Sequence, residues 1–157
     1  MKVAFYATMK PPDDPVPSGD RTMARLLVKA LERAGHEVEL ISHVRCRVRT
    51  PQHLEEVANA AAAEVERVSR RWAVDGAPDV VVAYHVYYKS PDMIGAALAR
   101  RFGLPYVTFE ASHAGKRDSD DWAGVQAISG DAIRHSALNV CFTQLDREAL
   151  AVLFPDD

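Results

Sequence analysis

Two kinds of hydrophobic pattern alternate along this chain. In one kind of segment, apolar residues recur every three or four positions, which is typical of one face of a helix. These segments separate short continuous apolar runs, which are typical of β-strands. The first helical segment runs from Met23 to Ala34 and meets a typical helix stop at Gly35. The strand-like runs are Val3–Thr8, Glu37–Ser42, Asp79–Tyr84, Pro105–Phe109 and Asn139–Thr143.

Four further helices are expected between and after these strands. They are a long helix over residues 54–72, one opened by Ser90-Pro91, one over Asp121–His135, and a short one with Leu145, Leu150 and Leu153. The run Val80–Ala83 contains no polar residue, which is typical of a strand buried on both faces of a parallel sheet. Strict alternation of strand and helix predicts a Rossmann-like α/β domain, a doubly wound parallel sheet with helices on both faces. We expect Val3–Thr8 and Asp79–Tyr84 in the sheet interior.

Composition and charge narrow the class of protein. The 157 residues are 48% hydrophobic and 26% charged, the balance of one ordinary globular domain. The net charge of −3 provides no overall attraction to nucleic acid. Cys46 and Cys141 lie far apart and form no CxxC pair, and no apolar run reaches the roughly 18 residues of a membrane span. The sequence therefore predicts a cytoplasmic protein.

The loop after the first strand offers one candidate ligand contact. Ligands of doubly wound sheets bind outside the carboxyl ends of the strands. Ser18-Gly19 brings bare backbone to the start of the first helix, where unpaired N–H groups suit a phosphate. The absence of GxGxxG and of a P-loop motif weighs against a dinucleotide or P-loop site. A plain helix cap by Ser18 or Asp20 is an equally open interpretation.

The loop after the third strand is unusually rich in rings and bases. It reads Tyr84-His85-Val86-Tyr87-Tyr88-Lys89. Aromatic faces stack on sugar rings, and His85 and Lys89 can bind hydroxyls or a phosphate. The alternative is that the tyrosines only pack on neighbouring helices.

The loop after the fourth strand places Glu110 directly behind an apolar run, a position that normally faces the central crevice. A carboxylate is costly to bury there without a partner, which Lys116, Arg117 or His113 could supply. Glu110 is therefore either part of an active-site wall or one half of a structural ion pair.

Three arginines alternate through Arg45, Arg47 and Arg49. In an extended segment all three would point the same way, toward an anionic acceptor or a lipid headgroup. A solvated edge that prevents strand pairing is the alternative.

Together these segments resemble the N-terminal half of the retaining GT-B glycosyltransferases of family 4, also called group 1. The resemblance covers the whole chain and rests on the order of Ser18–Arg21, of Ala34–Leu40 (AGHEVEL), of Gly103–Phe109 (GLPYVTF) and of Ala137–Thr143 (ALNVCFT). Two positions depart from the family pattern. Ser18-Gly19 stands where the family commonly has Gly-Gly. Glu110 stands where many members have a histidine near the reacting sugar, with His113 three residues further on.

The resemblance implies that residues 1–157 form the acceptor-side domain and that the C-terminal domain, which grips the nucleotide-sugar, is absent. The chain alone would then be inactive, its partners being that domain and a sugar or lipid-linked acceptor. The nucleotide-sugar is a co-substrate, no other cofactor is implied, and no cluster has metal-ligand spacing. Glu110 or His113 would lie nearest the transferred sugar, Ser18 and Gly19 near the diphosphate or acceptor, and the acceptor-side candidates are His85, Tyr88, Lys89, Lys116 and Arg117. The rival interpretation is a non-enzymatic, flavodoxin-like module that binds a phosphorylated small molecule or a partner protein.

Overall fold

The computed structural model describes residues 1–155 and is built on a five-stranded, all-parallel sheet. The spatial order of the strands is β2-β1-β3-β4-β5, the flavodoxin-like order among doubly wound folds. The predicted fold class is confirmed, and the first and third strands lie in the interior of the sheet as expected. The strands are β1 (Lys2–Ala7), β2 (Glu37–Leu40), β3 (Val80–Tyr84), β4 (Tyr106–Phe109) and β5 (Leu138–Val140).

Helices cover both faces of the sheet, but unevenly. The helices are α1 (Gly19–Arg33), α2 (Leu54–Asp75), α3 (Gly95–Phe102), α4 (Ala123–His135) and α5 (Gln144–Ala151). Among the described helices, α1 alone packs on the face that carries Val3, Phe5 and Val82. Helices α2, α3 and α4 pack on the opposite face, over Tyr6, Val81 and Tyr106. Alternate side chains of each strand therefore enter two separate cores.

The expectation that Ser90-Pro91 opens the third helix is wrong, because α3 begins at Gly95. The buried carboxylate of Asp92 accepts hydrogen bonds from the Ile94 and Gly95 amides at 3.0 and 2.7 Å, so it satisfies the first free N–H groups of the helix. Ser90 donates its hydroxyl instead to Thr8 Oγ1, 3.0 Å away. A Cβ at Gly95 would lie 2.5 Å from Asp92 Oδ2, so this close approach requires glycine.

Two other boundaries also differ from the prediction. Helix α4 begins at Ala123, two residues later than expected, because Asp120 accepts a hydrogen bond from the Trp122 amide at 2.8 Å. Strand β5 covers Leu138–Val140, a shorter segment than the predicted 139–143.

The segment 45–49 crosses the carboxyl ends of the central strands. Cys46 donates its amide to Thr8 O at 3.0 Å, and Val48 donates to Lys89 O at 2.8 Å. Cys46 and Val48 are buried, whereas the three alternating arginines are exposed. The prediction that Arg45, Arg47 and Arg49 share one side of the segment is thus confirmed. Within residues 1–155, no helix has the length and apolarity that a membrane crossing needs.

Candidate functional site at the carboxyl ends of the strands

The chain makes the same unusual turn at the ends of two neighbouring strands. His85 follows β3 with φ +63°, and Glu110 follows β4 with φ +54°. Both keep a sheet hydrogen bond, from His85 N to Phe109 O at 3.0 Å and from Glu110 N to Val140 O at 2.9 Å. A left-handed backbone costs a non-glycine residue about 1–3 kcal/mol, and such residues concentrate at functional sites. The crevice between β1, β3 and β4 is therefore the first place to look for function.

Asp20 holds the imidazole of His85. The His85 Nδ1 and Asp20 Oδ1 atoms are 2.7 Å apart, and both side chains are about three-quarters buried. Thr8 donates its hydroxyl to the His85 carbonyl at 2.8 Å, which fixes the backbone of the turn as well. A ring held at Nδ1 presents Nε2 to a ligand in a fixed orientation. The geometry is that of an oriented hydrogen-bonding or proton-transferring group.

Glu110 completes the crevice from the β4 side. Burial, and after it the hydrogen bond and charge of Glu110, raise the pKa of the Tyr84 hydroxyl, and the Asp20 carboxylate raises it further. Phe109 is the register partner of Tyr84 and accepts from the His85 amide, so Glu110 follows directly beside these two residues, and Asp20 is held at His85. We call Asp20, Tyr84, His85 and Glu110 the crevice. The suggested ion pair of Glu110 with Lys116 or Arg117 is not formed, and within the part of the chain described here no cation reaches it.

His113 lies elsewhere. Its Nε2 is 3.2 Å from Asp118 Oδ2 and its Nδ1 is 3.2 Å from the amide nitrogen of Gln126 on α4. The same amide donates to Ala114 O at 2.7 Å, so the three groups hold the loop after β4 against the helix. The His113 side chain is only 7% exposed. The sequence-based expectation that His85, Lys89, Glu110 and His113 converge on one pocket is therefore not met by His113, whose contacts are with the loop after β4 and with α4.

A second group of predicted residues forms an aromatic strip beside the crevice. The ring of Tyr87 stacks on His85 with centroids 4.8 Å apart, and edge-to-face contacts continue to Tyr88 and then Trp122 at 5.6 and 5.2 Å. Lys89 Nζ lies 5.7 Å from the Tyr88 centroid. Arg117 Cζ lies 5.0 Å from the same Tyr88 centroid, and its guanidinium pairs with Asp120 at 2.6 Å. Lys116 is exposed.

Ser18 and Gly19 occupy the start of α1 as expected. Ser18 is the helix cap, since its Oγ accepts from the Arg21 amide at 3.2 Å. An added Cβ at Gly19 would meet no atom within 4 Å, so packing does not require glycine there. The carboxylate of Asp20 already occupies the positive end of the helix dipole and would repel a phosphate. The crevice suits a hydroxyl group better than an anion.

Sequence reasoning missed Asp20 and Trp122 as site residues, and it named Tyr84 only as part of the loop after the third strand. Asp20 was considered only as a cap, although its place directly after Ser18-Gly19 puts it at the switch point. Nothing in the sequence marks Trp122, whose contact with Tyr88 joins the loop before α4 to the loop after β3.

Fold and site together define a doubly wound α/β domain with a polar crevice at the topological switch point. Within residues 1–155, no three potential metal-ligating side chains form a group. No protein-family model matches the sequence, and no curated protein matches it. The chemistry of the crevice side chains is therefore what indicates a function.

Proposed function

We propose that this chain is the acceptor-binding domain of a retaining GT-B glycosyltransferase, whose C-terminal domain holds the nucleotide-sugar. The observation that carries the proposal is that an oriented imidazole, His85, and a carboxylate, Glu110, lie at the ends of two adjacent strands. The acceptor hydroxyl binds between these two groups. Sugar transfer then depends on holding this hydroxyl close to the donor, which is where most of the rate enhancement arises.

The electrostatics of the crevice support a neutral, hydroxylated ligand. Glu110 is half-buried and has no cationic partner among the described residues, so beside its interaction with Tyr84 it keeps lone pairs that can accept further hydrogen bonds. A carboxylate in that state is best stabilised by a donor such as a sugar hydroxyl. Asp20 adds a second negative charge, which favours the same class of ligand.

The aromatic strip of Tyr87, Tyr88 and Trp122 supports a carbohydrate acceptor. Its rings begin in contact with His85 and lead away from the crevice. All three are partly exposed, and exposed ring faces pack against the apolar faces of sugars. The strip supplies binding surface beyond the reacting residue.

An uncovered apolar strip supports the presence of further polypeptide. On the α1 face of the sheet, Val107 and Phe109 of β4 are partly exposed, and Leu138 beside them is 56% exposed. Phe142 lies 6.4 Å from the Phe109 ring and is 43% exposed. Exposed apolar residues grouped in this way are consistent with a surface that contacts another protein segment.

The test uses the longest gene product that contains this chain. It is incubated with a panel of nucleotide-sugars and sugar acceptors, and release of nucleoside diphosphate is measured. His85→Gln should lower kcat/KM at least about tenfold because the oriented imidazole is lost. His135→Gln, on an exposed histidine at the end of α4, is the matched control and should leave the rate unchanged. Absence of acceptor-dependent release with every donor, or equal rates for the two variants, contradicts the proposal.

The flavodoxin-like strand order favours a second candidate, a non-enzymatic module that binds a phosphorylated ligand at the β1/β3 switch point. Asp20 at the start of α1 opposes an anion there. Calorimetry of the 157-residue chain with flavin mononucleotide tests it: binding that Asp20→Asn strengthens would support the module, and no binding would remove it.

A further inference from the structure

The loop after β3 holds Tyr88 and Lys89 at the tip of a rigid turn. Tyr87 and Ser90 exchange two backbone hydrogen bonds, at 3.3 and 2.8 Å. Ser129 on α4 donates to the Tyr87 carbonyl at 2.9 Å, and Ser90 is fully buried against Thr8. The turn is therefore fixed from α4 and from the end of β1. Its two central residues, Tyr88 and Lys89, are partly exposed.

Lys89 is held in place without charge compensation. Its Nζ lies 5.7 Å from the Tyr88 centroid and 5.6 Å from that of Trp122. Cation–π contacts of this kind orient an ammonium group and leave its charge available. Among residues 1–155, no carboxylate comes within ion-pair distance of Lys89. A surface lysine is normally free to move in solvent, so two ring contacts that orient Lys89 suggest that it binds a ligand.

The arginine segment runs beside this turn. The hydrogen bond from Val48 N to Lys89 O fixes the segment against the turn, so the exposed Arg47 and Arg49 flank the residue that contacts Lys89. Burial raises the pKa of the Tyr87 phenol, and the Arg47 charge partly offsets the rise. Within the described chain, neither Arg47 nor Arg49 has an acidic partner, whereas Arg45 is paired with Asp14. We call Arg47, Arg49 and Lys89 the basic rim.

We propose that the basic rim binds a phosphate group carried by the acceptor. This inference rests on the proposed function, because it places the phosphate at the outer end of the aromatic strip that starts at His85. Three cationic side chains on two adjoining segments raise the local positive potential, which an anion relieves. Phosphate offers enough acceptor oxygens for two arginine forks and an ammonium at once. The chain as a whole is anionic, so the rim is a local feature rather than part of a basic protein.

Titration calorimetry of the 157-residue chain with inorganic phosphate and glucose 1-phosphate tests the site. Lys89→Gln and Arg47→Gln should each weaken binding about tenfold, since each removes a charge-assisted hydrogen bond. Lys29→Gln removes the same charge from the exposed surface of α1 and is the control. Circular dichroism melting curves establish that all variants are folded.

Flotation with phosphatidylcholine vesicles, with and without phosphatidylglycerol, separates a soluble from a lipid-borne phosphate. Binding to the soluble probes alone assigns the rim to a soluble acceptor, and binding to phosphatidylglycerol vesicles alone assigns it to a lipid headgroup. No binding to any probe, or equal losses in Lys89→Gln and Lys29→Gln, overturns the proposal. Rim-dependent phosphate binding by a gene product that transfers no sugar would reject the transferase and leave the anion site standing.

Discussion

Replacement of Glu110 separates a functional carboxylate from a structural one. Glu110→Gln keeps the shape and removes the charge, and Glu110→Gly removes the side chain and the backbone strain. At φ +54° the strain costs an L-residue roughly 1–2 kcal/mol. Glycine recovers that amount but loses about 0.5–1 kcal/mol to chain entropy and about 0.5–1.5 kcal/mol with the Tyr84 interaction.

These contributions nearly cancel, so the free energy of unfolding of Glu110→Gly should lie within about 1 kcal/mol of the wild-type value. Glu110→Gln should also remain within about 0.5 kcal/mol. Breaking a buried ion pair would lower the stability by about 3–5 kcal/mol. We do not expect a loss of that size, because no cation in residues 1–155 lies within ion-pair distance of Glu110. If Glu110 acts on the reacting groups, both variants should lower kcat by roughly a hundredfold.

Urea unfolding of the 157-residue chain measures the stabilities, and the longer gene product supplies kcat. Loss of 3 kcal/mol or more in either variant, on the scale of a broken buried pair, would refute the structural part of the reasoning. Unchanged turnover in Glu110→Gln would remove Glu110 from the catalytic residues. Stability retained with turnover lost is the expected combination.

Three further predictions follow from particular contacts. Asp20→Asn should reduce kcat about tenfold through loss of the orienting carboxylate on His85, with the melting temperature preserved; equal turnover in steady-state assays would show that the pair is not used. Gly95→Ala should lower the free energy of unfolding by about 1–3 kcal/mol because the added Cβ meets Asp92. Gly124→Ala, where a Cβ enters open space, should raise it by up to about 1 kcal/mol. Urea unfolding measures both variants, and a reversal of the two effects would contradict the packing described. The isolated chain should unfold cooperatively and release no nucleoside diphosphate from any nucleotide-sugar, and saturable turnover by it would exclude the two-domain proposal.

The sequence alone determined the class of fold and the order of its elements. Apolar runs and helical spacing are local signals, because burial of one face of a helix or of both faces of a strand repeats with a fixed period. The uninterrupted run Val80–Ala83 therefore predicted a central strand, and β3 does lie between β1 and β4. Arg45, Arg47 and Arg49 alternate with buried residues for the same reason. Local capping was less predictable, since the Asp92 carboxylate took the position assigned to Ser90.

Only the tertiary structure decided which side chains meet. Asp20 and His85 are 65 positions apart and come together because β1 and β3 are neighbours in the sheet, which no local pattern encodes. Glu110 and His113 are three positions apart, yet one faces the crevice and the other faces α4. The backbone turns into the left-handed region at Glu110, which redirects the residues that follow it. Hydrophobic periodicity carries no information about such a turn. Strand order and the left-handed dihedral angles after β3 and β4, rather than residue type, assemble the crevice.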